Sequence, residues 1–187
     1  MDCTDLGLGG PRVIVPDRFG DSRGWFSETY NQHRLSSFGI DTVFVQDNQS
    51  HSGDAGTVRG LHFQRPPFAQ AKLVRVTRGR VLDVVVDVRR GSPWYGRWVS
   101  AELSAENACQ LLAPIGFLHG FVTLEPDTDV IYKVSNYYSR EHDGAVLWND
   151  PDLAIDWSIG ADKARLSDKD AAAQPFATFA SPFVYEG

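Results

Sequence analysis

The chain has 187 residues, 42% hydrophobic and 22% charged, which suits a single globular domain with a sizeable core. Its formal net charge of −6 argues against a nucleic-acid partner, because phosphate-backbone affinity needs a basic surface, but leaves room for a nucleotide held by a few local cations. No apolar run is long enough to span a bilayer, the N-terminus lacks a signal-peptide pattern, and the two cysteines make no disulfide framework, so no membrane partner and a cytoplasmic location are expected.

Short runs rich in β-branched and aromatic residues recur between turn residues. In chain order, strands are expected over Arg12–Val15, Trp25–Thr29 and Val43–Asp47. A short helix over Asn31–Phe38, ended by Gly39, separates the last two. The next run, Val58-Arg59-Gly60-Leu61-His62-Phe63, is strand-like, yet it holds Arg59 and His62 three residues apart. In a regular strand these would face opposite ways. Gly60 between them allows a bulge that turns both toward one cavity. Such side chains are costly in an apolar run unless the strand lines a polar pocket, so the segment is either a site or the seat of a satisfied structural histidine.

Further strands are expected over Leu73–Thr77, Val81–Val88, Trp98–Leu103, Ala108–Leu112, Gly120–Leu124 and Val130–Ser135, with a hairpin turn at Arg78-Gly79. Along Val81–Val88 one face is wholly apolar. The other carries Asp83 and Asp87 and should meet water, a partner or a cavity. The segment from about residue 150 is richer in Asp, Ala and Pro and is expected as a C-terminal appendage, with a second short helix over Ser167–Ala173 capped by Ser167. Regularly spaced short strands favour an all-β sandwich or barrel.

Among the histidines, His33 and His51 sit in polar surroundings and read as surface residues, whereas His62 and His119 lie in or beside apolar runs. The segment Pro114-Ile115-Gly116-Phe117-Leu118-His119 resembles the second motif of cupin barrels. Metal-binding cupins also need an H-x-H pair with a following Glu, because several ligands must converge on one ion. His62 is followed by Phe63 and Gln64, so no metal is expected and His62 is free to act as a base. Imidazole suits proton abstraction when a carboxylate orients its other nitrogen, and Asp83, Asp87, Asp168 and Asp170 are all candidates. Tyr132 reads as a complementary acid or a buried strand aromatic, and Lys72 as an oxyanion partner or a strand-end lysine. Strand alternation suggests that Asp83 faces His119.

Several segments, in order over nearly the whole chain, resemble the dTDP-4-dehydrorhamnose 3,5-epimerase family, a metal-free cupin group. They include Phe19-Gly20-Asp21-Ser22-Arg23-Gly24-Trp25-Phe26, Phe44-Val45-Gln46-Asp47-Asn48, Val58 to Gln64, Gln70-Ala71-Lys72-Leu73-Val74-Arg75, Leu103 to Asn107, Pro114 to Phe121, Tyr132-Lys133, Asn136-Tyr137-Tyr138 and Leu166 to Asp170. The resemblance implies an all-β, cupin-type double-stranded β-helix (a jelly-roll barrel) with a few short peripheral helices, in one domain over 1–187. It also implies a homodimer in which residues 1–30 or so are exchanged.

The resemblance further implies His62 as proton acceptor, Asp170 as its orienting partner, Tyr132 as proton donor and Lys72 as the enolate-stabilising cation. Arg59, Lys72 and His119 correspond to residues lining the sugar and diphosphate. Arg23, Glu28, Gln46, Asp47 and Asn48 fall where the family contacts the nucleotide, and Tyr138 where it stacks on thymine. Asp143 and Lys169 occupy further contact positions, although Asp143 departs from the Glu common there. The implied reaction inverts C3 and C5 of dTDP-4-dehydro-6-deoxy-D-glucose without a cofactor. The alternatives are epimerisation at one carbon, a ketoisomerase, or a non-catalytic sugar-nucleotide binding module.

Overall fold

In the computed structural model, which describes residues 1–187, period-two alternation builds two antiparallel sheets packed face to face. The strands are β1 (Asp2–Asp5), β2 (Arg12–Val15), β3 (Phe19–Asp21), β4 (Gly24–Phe26), β5 (Gln46–Ser52), β6 (Val58–Gln64) and β7 (Lys72–Arg78), then β8 (Arg80–Asp87), β9 (Trp98–Ser104), β10 (Gln110–Ala113), β11 (Phe117–Thr123), β12 (Thr128–Val134) and β13 (Asp143–Ala145). Two short helices, α1 (Gln32–Ser36) and α2 (Asp168–Ala171), lie outside the sheets. One sheet has six strands in the order β1-β2-β10-β7-β12-β5, and the other five in the order β13-β6-β11-β8-β9. This is the all-β architecture expected, with the helices peripheral.

The inner faces of both sheets make one apolar cluster, with Val74 and Val76 of β7 meeting Val81 and Val85 of β8 and Phe117 and Phe121 of β11. The outer face of the five-stranded sheet carries Leu61, Phe63, Val84, Val86 and Leu118. The segment expected as a C-terminal appendage covers that face and puts Leu153, Trp157, Phe179 and Phe183 into its core. Both faces of β8 are therefore buried, and Asp83 and Asp87 have no accessible surface. Burial of two carboxylates is tolerable because each is hydrogen-bonded. Asp87 accepts from Arg89 and Ser92, and Asp83 faces His119.

Two expected strands move. The run Trp25–Thr29 is ordered as strand only over Gly24–Phe26, because its sole ladder partner is the three-residue β3. The run Val43–Asp47 starts instead at Gln46 and continues to Ser52, because β12 offers a partner from Val134 back to Thr128. The edge strand β1 has no apolar alternation to betray it, and it forms by pairing with β2. Ser167 caps α2 as expected, its hydroxyl accepting from the Asp170 N–H.

Candidate active site

The bulge at Gly60 sets up the site. On β11, His119 pairs with His62 and Phe121 with Arg59, so two steps on one strand oppose three on the other. Gly60 takes up the extra residue with φ +135°. A Cβ there would lie 2.6 Å from Gly120 Cα and 2.9 Å from the His119 carbonyl oxygen, so only glycine fits. Leu61 and Phe63 then point to the outer core, while Arg59 and His62 line one cavity of about 190 Å3 together with Lys72, His119, Tyr132 and Asp170.

His62 Nε2 lies 2.5 Å from Asp170 Oδ1. Asp170 thereby holds the proton on Nε2 and leaves Nδ1 as the basic nitrogen. Burial pushes the Asp170 carboxyl up. The bonds from His62, the Ser167 hydroxyl and the Gly60 N–H outweigh it and hold Asp170 below the usual carboxylate range. Of the four carboxylates open in the sequence, the fold selects Asp170. Asp87 is committed to Arg89, Asp83 to His119, and Asp168 is exposed in the first turn of α2.

His119 Nε2 sits 2.9 and 3.0 Å from the two Asp83 oxygens. Burial lowers the affinity of His119 for a second proton, with Asp83 opposing. Lys72 projects from the start of β7, where burial lowers its ammonium to about 8 against the opposing pull of Asp83 and Asp143. Tyr132 lies on the inner face of β12. Desolvation raises its phenol, partly offset by Arg59, so it remains protonated at neutral pH.

An adjoining cavity of about 230 Å3 shares His62, Lys72, Tyr132 and Lys169 and adds Gln46, Asn48, Tyr138 and Asp143. Tyr138 is exposed at this lip, its N–H donating to Gln46 Oε1 at 3.2 Å and its hydroxyl to Asp143 at 3.3 Å. Lys169 pairs with the same Asp143 oxygen. Eleven of the residues singled out in the sequence thus converge here: Gln46, Asn48, Arg59, His62, Lys72, His119, Tyr132, Tyr138, Asp143, Lys169 and Asp170.

Three others do not converge on this cavity. Asp47 points to the outer face, where it pairs with Lys133 at 2.9 Å, because strand alternation opposes it to Gln46 and Asn48. Glu28 bonds Asn31 on the same outer side. Arg23 is exposed in the β3–β4 hairpin and pairs with Asp21. Ser50 and Ser167 line the site, although sequence reasoning assigned Ser50 nothing and Ser167 only a cap. The signal for Ser50 was present: Gln46, Asn48, Ser50 and Ser52 alternate on one strand face. No group of three or more metal-ligating side chains occurs anywhere in the chain.

A sequence-family model described as dTDP-4-dehydrorhamnose 3,5-epimerase matches residues 5–178. The chain belongs to that family. It is an epimerase, an isomerase-class enzyme. The dTDP-4-dehydrorhamnose 3,5-epimerase of Sinorhizobium fredii is 54% identical over 84% of this chain and 80% of its own length. The crystal structure of the Bacillus anthracis epimerase, with TDP and PPi bound, is 47% identical, covers 94% of this chain and 99% of its own, and superposes with a TM-score of 0.90. The Legionella pneumophila epimerase, in complex with dTDP-4-keto-L-rhamnose, is 40% identical, covers 100% of this chain and 99% of its own, and has a TM-score of 0.92. With these relatives, the two-sheet fold is the cupin type that the epimerase motifs imply.

Proposed function

We propose that this epimerase inverts both C3 and C5 of dTDP-4-dehydro-6-deoxy-D-glucose within the cavity around His62. The observation that carries the reading is the origin of the two proton-transfer groups. His62 comes from β6 of the five-stranded sheet and Tyr132 from β12 of the six-stranded sheet, and both line the same cavity. A ring held between the layers has a base on one face and an acid on the other, as inversion requires. The 4-keto group acidifies the protons on C3 and C5. His62 removes each in turn, Lys72 stabilises the enolate oxygen, and Tyr132 returns a proton from the opposite side. Arg59 adds positive charge for the diphosphate, and Tyr138 offers an exposed ring for thymine.

Arg23 and Glu28 lie away from the cavity of their own chain, so we assign them to the cavity of a second copy in a homodimer. The exposed Phe19, Trp25 and Phe26 of the β3–β4 hairpin support this, since such a patch is characteristic of an interface. No helix is long and apolar enough to cross a membrane, and we place the enzyme in the cytoplasm with its nucleotide substrate.

Incubation with substrate in D2O tests the reaction. Deuterium at both C3 and C5 is expected, with His62→Ala abolishing incorporation. Label at one carbon only would assign a single-carbon epimerase, and no label at either would refute the reading.

A further inference from the structure

Two polar atoms near the site are buried without a hydrogen-bond partner, Ser50 Oγ and Arg59 Nε. Native proteins leave few such groups, because each forfeits its hydration without replacement. Both residues line the cavity that holds His62, Tyr132, Lys72 and His119. They are also neighbours across the sandwich. Arg59 reaches from β6 to β5, where its Nη2 donates to the His51 carbonyl oxygen at 3.1 Å and to Ser52 Oγ at 3.4 Å, the two residues that follow Ser50.

Strand β5 measures the site along its length. Gln46, Asn48 and Ser50 share its inner face, successive ones about 7 Å apart. Gln46 belongs to the Tyr138 end, through the bond from the Tyr138 N–H. Ser50 lies four residues further on, at the end with His119 and the His62–Asp170 pair.

We propose that Ser50 is a sugar-contacting residue, its hydroxyl hydrogen-bonding a ring hydroxyl of the pyranose beside Arg59 Nε and so fixing the ring between His62 and Tyr132. This rests on the sugar-nucleotide reading above. A serine hydroxyl both donates and accepts, as a sugar hydroxyl does, and is matched to it in a way that a cation is not.

Calorimetric titration of the full chain with dTDP and with dTDP-glucose tests the assignment. Ser50→Ala is expected to weaken dTDP-glucose by about tenfold, the loss of one hydrogen bond, and to leave dTDP unchanged. The melting temperature of the free protein should not fall, because an unpartnered buried hydroxyl contributes nothing to stability. Ser50→Thr, which keeps the hydroxyl, should recover most of the affinity. Wild-type affinity for dTDP-glucose in Ser50→Ala would overturn the proposal, and so would equal losses for the two ligands, which would put Ser50 at the diphosphate. A lower melting temperature for Ser50→Ala would mark a structural hydroxyl and overturn it as well. Wild-type protein that binds neither ligand would remove the sugar-nucleotide reading itself.

Discussion

Lys72→Met keeps the hydrocarbon stem of the side chain and removes the ammonium that β7 carries into the cavity. In the folded chain that ammonium has an affinity for its proton lowered from 10.5 to about 8, chiefly by burial. Each tenfold change in proton affinity corresponds to about 1.4 kcal/mol, so the charge costs the fold about 3 kcal/mol at neutral pH. Below pH 8 the lysine is charged in both folded and unfolded chains and the full cost is present. Between 8 and 10.5 the folded chain binds fewer protons, so stability rises with pH, and above 10.5 the cost is gone. Lys72→Met should therefore melt about 6–12 °C above wild type at pH 7, measured at equal protein concentration, with the gap closing toward pH 10.5. The same variant should lose about a hundredfold or more of its D2O exchange rate, as expected for removing a preorganised enolate partner. Wild-type exchange should likewise decline as pH rises through 8, where Lys72 becomes neutral. A Lys72→Met protein that melts below wild type at pH 7 would refute the reasoning, because the ammonium would then be a net stabiliser.

Gly60→Ala should destabilise the protein by about 2–4 kcal/mol in urea melts, since its methyl would strike Gly120 at a φ that side chains avoid. Exchange should fall with it, because an unbulged β6 turns His62 away from the cavity; wild-type exchange in this variant would mean that the bulge does not aim the base. Tyr132→Phe should retain deuterium exchange while suppressing inversion, if base and acid serve separate faces. Complete loss of exchange, equal to that of His62→Ala, would count against the division of roles. Ser167→Ala should cost about 1 kcal/mol through loss of the α2 cap. It should also raise the acid limb of the pH–rate profile by withdrawing one of the bonds that hold the Asp170 carboxyl low, whereas an unmoved acid limb would leave Ser167 a cap alone.

The Gly60 bulge was legible because an arginine and a histidine three apart in an apolar run can share a cavity only if the strand breaks step. Facing pairs on adjacent strands were also within reach, as Asp83 and His119 show, because alternation constrains which face each occupies. Alternation equally forbids Gln46, Asp47 and Asn48 from lining one cavity, and the outward turn of Asp47 follows from that rule rather than from the family motif. The partner of His62 was not legible from local pattern, since 108 residues separate it from Asp170 and four carboxylates had equal claim. The C-terminal segment gave no sign of its place in the core. Its anchors Leu153, Trp157, Phe179 and Phe183 lie mostly in irregular chain and follow neither the helical nor the strand period.

How a chain of net charge −6 accommodates a diphosphate is decided by which charges in the cavity are already engaged. Asp170 is bonded to His62, Asp83 to His119 and Asp143 to Lys169. The attraction of Asp83 and Asp143 for Lys72 does not offset burial, and its proton is held loosely. Arg59 bonds only neutral oxygens of His51 and Ser52. Only Asp143 is thus neutralised by a cation; Asp170 and Asp83 accept from imidazole N–H groups that satisfy their oxygens without cancelling their charge, while Lys72 and Arg59 form no ion pair and keep charge that a ligand can use. In a cavity between two apolar sheets the charge of Lys72 and Arg59 acts at low dielectric, whereas water and salt screen the distant surface carboxylates.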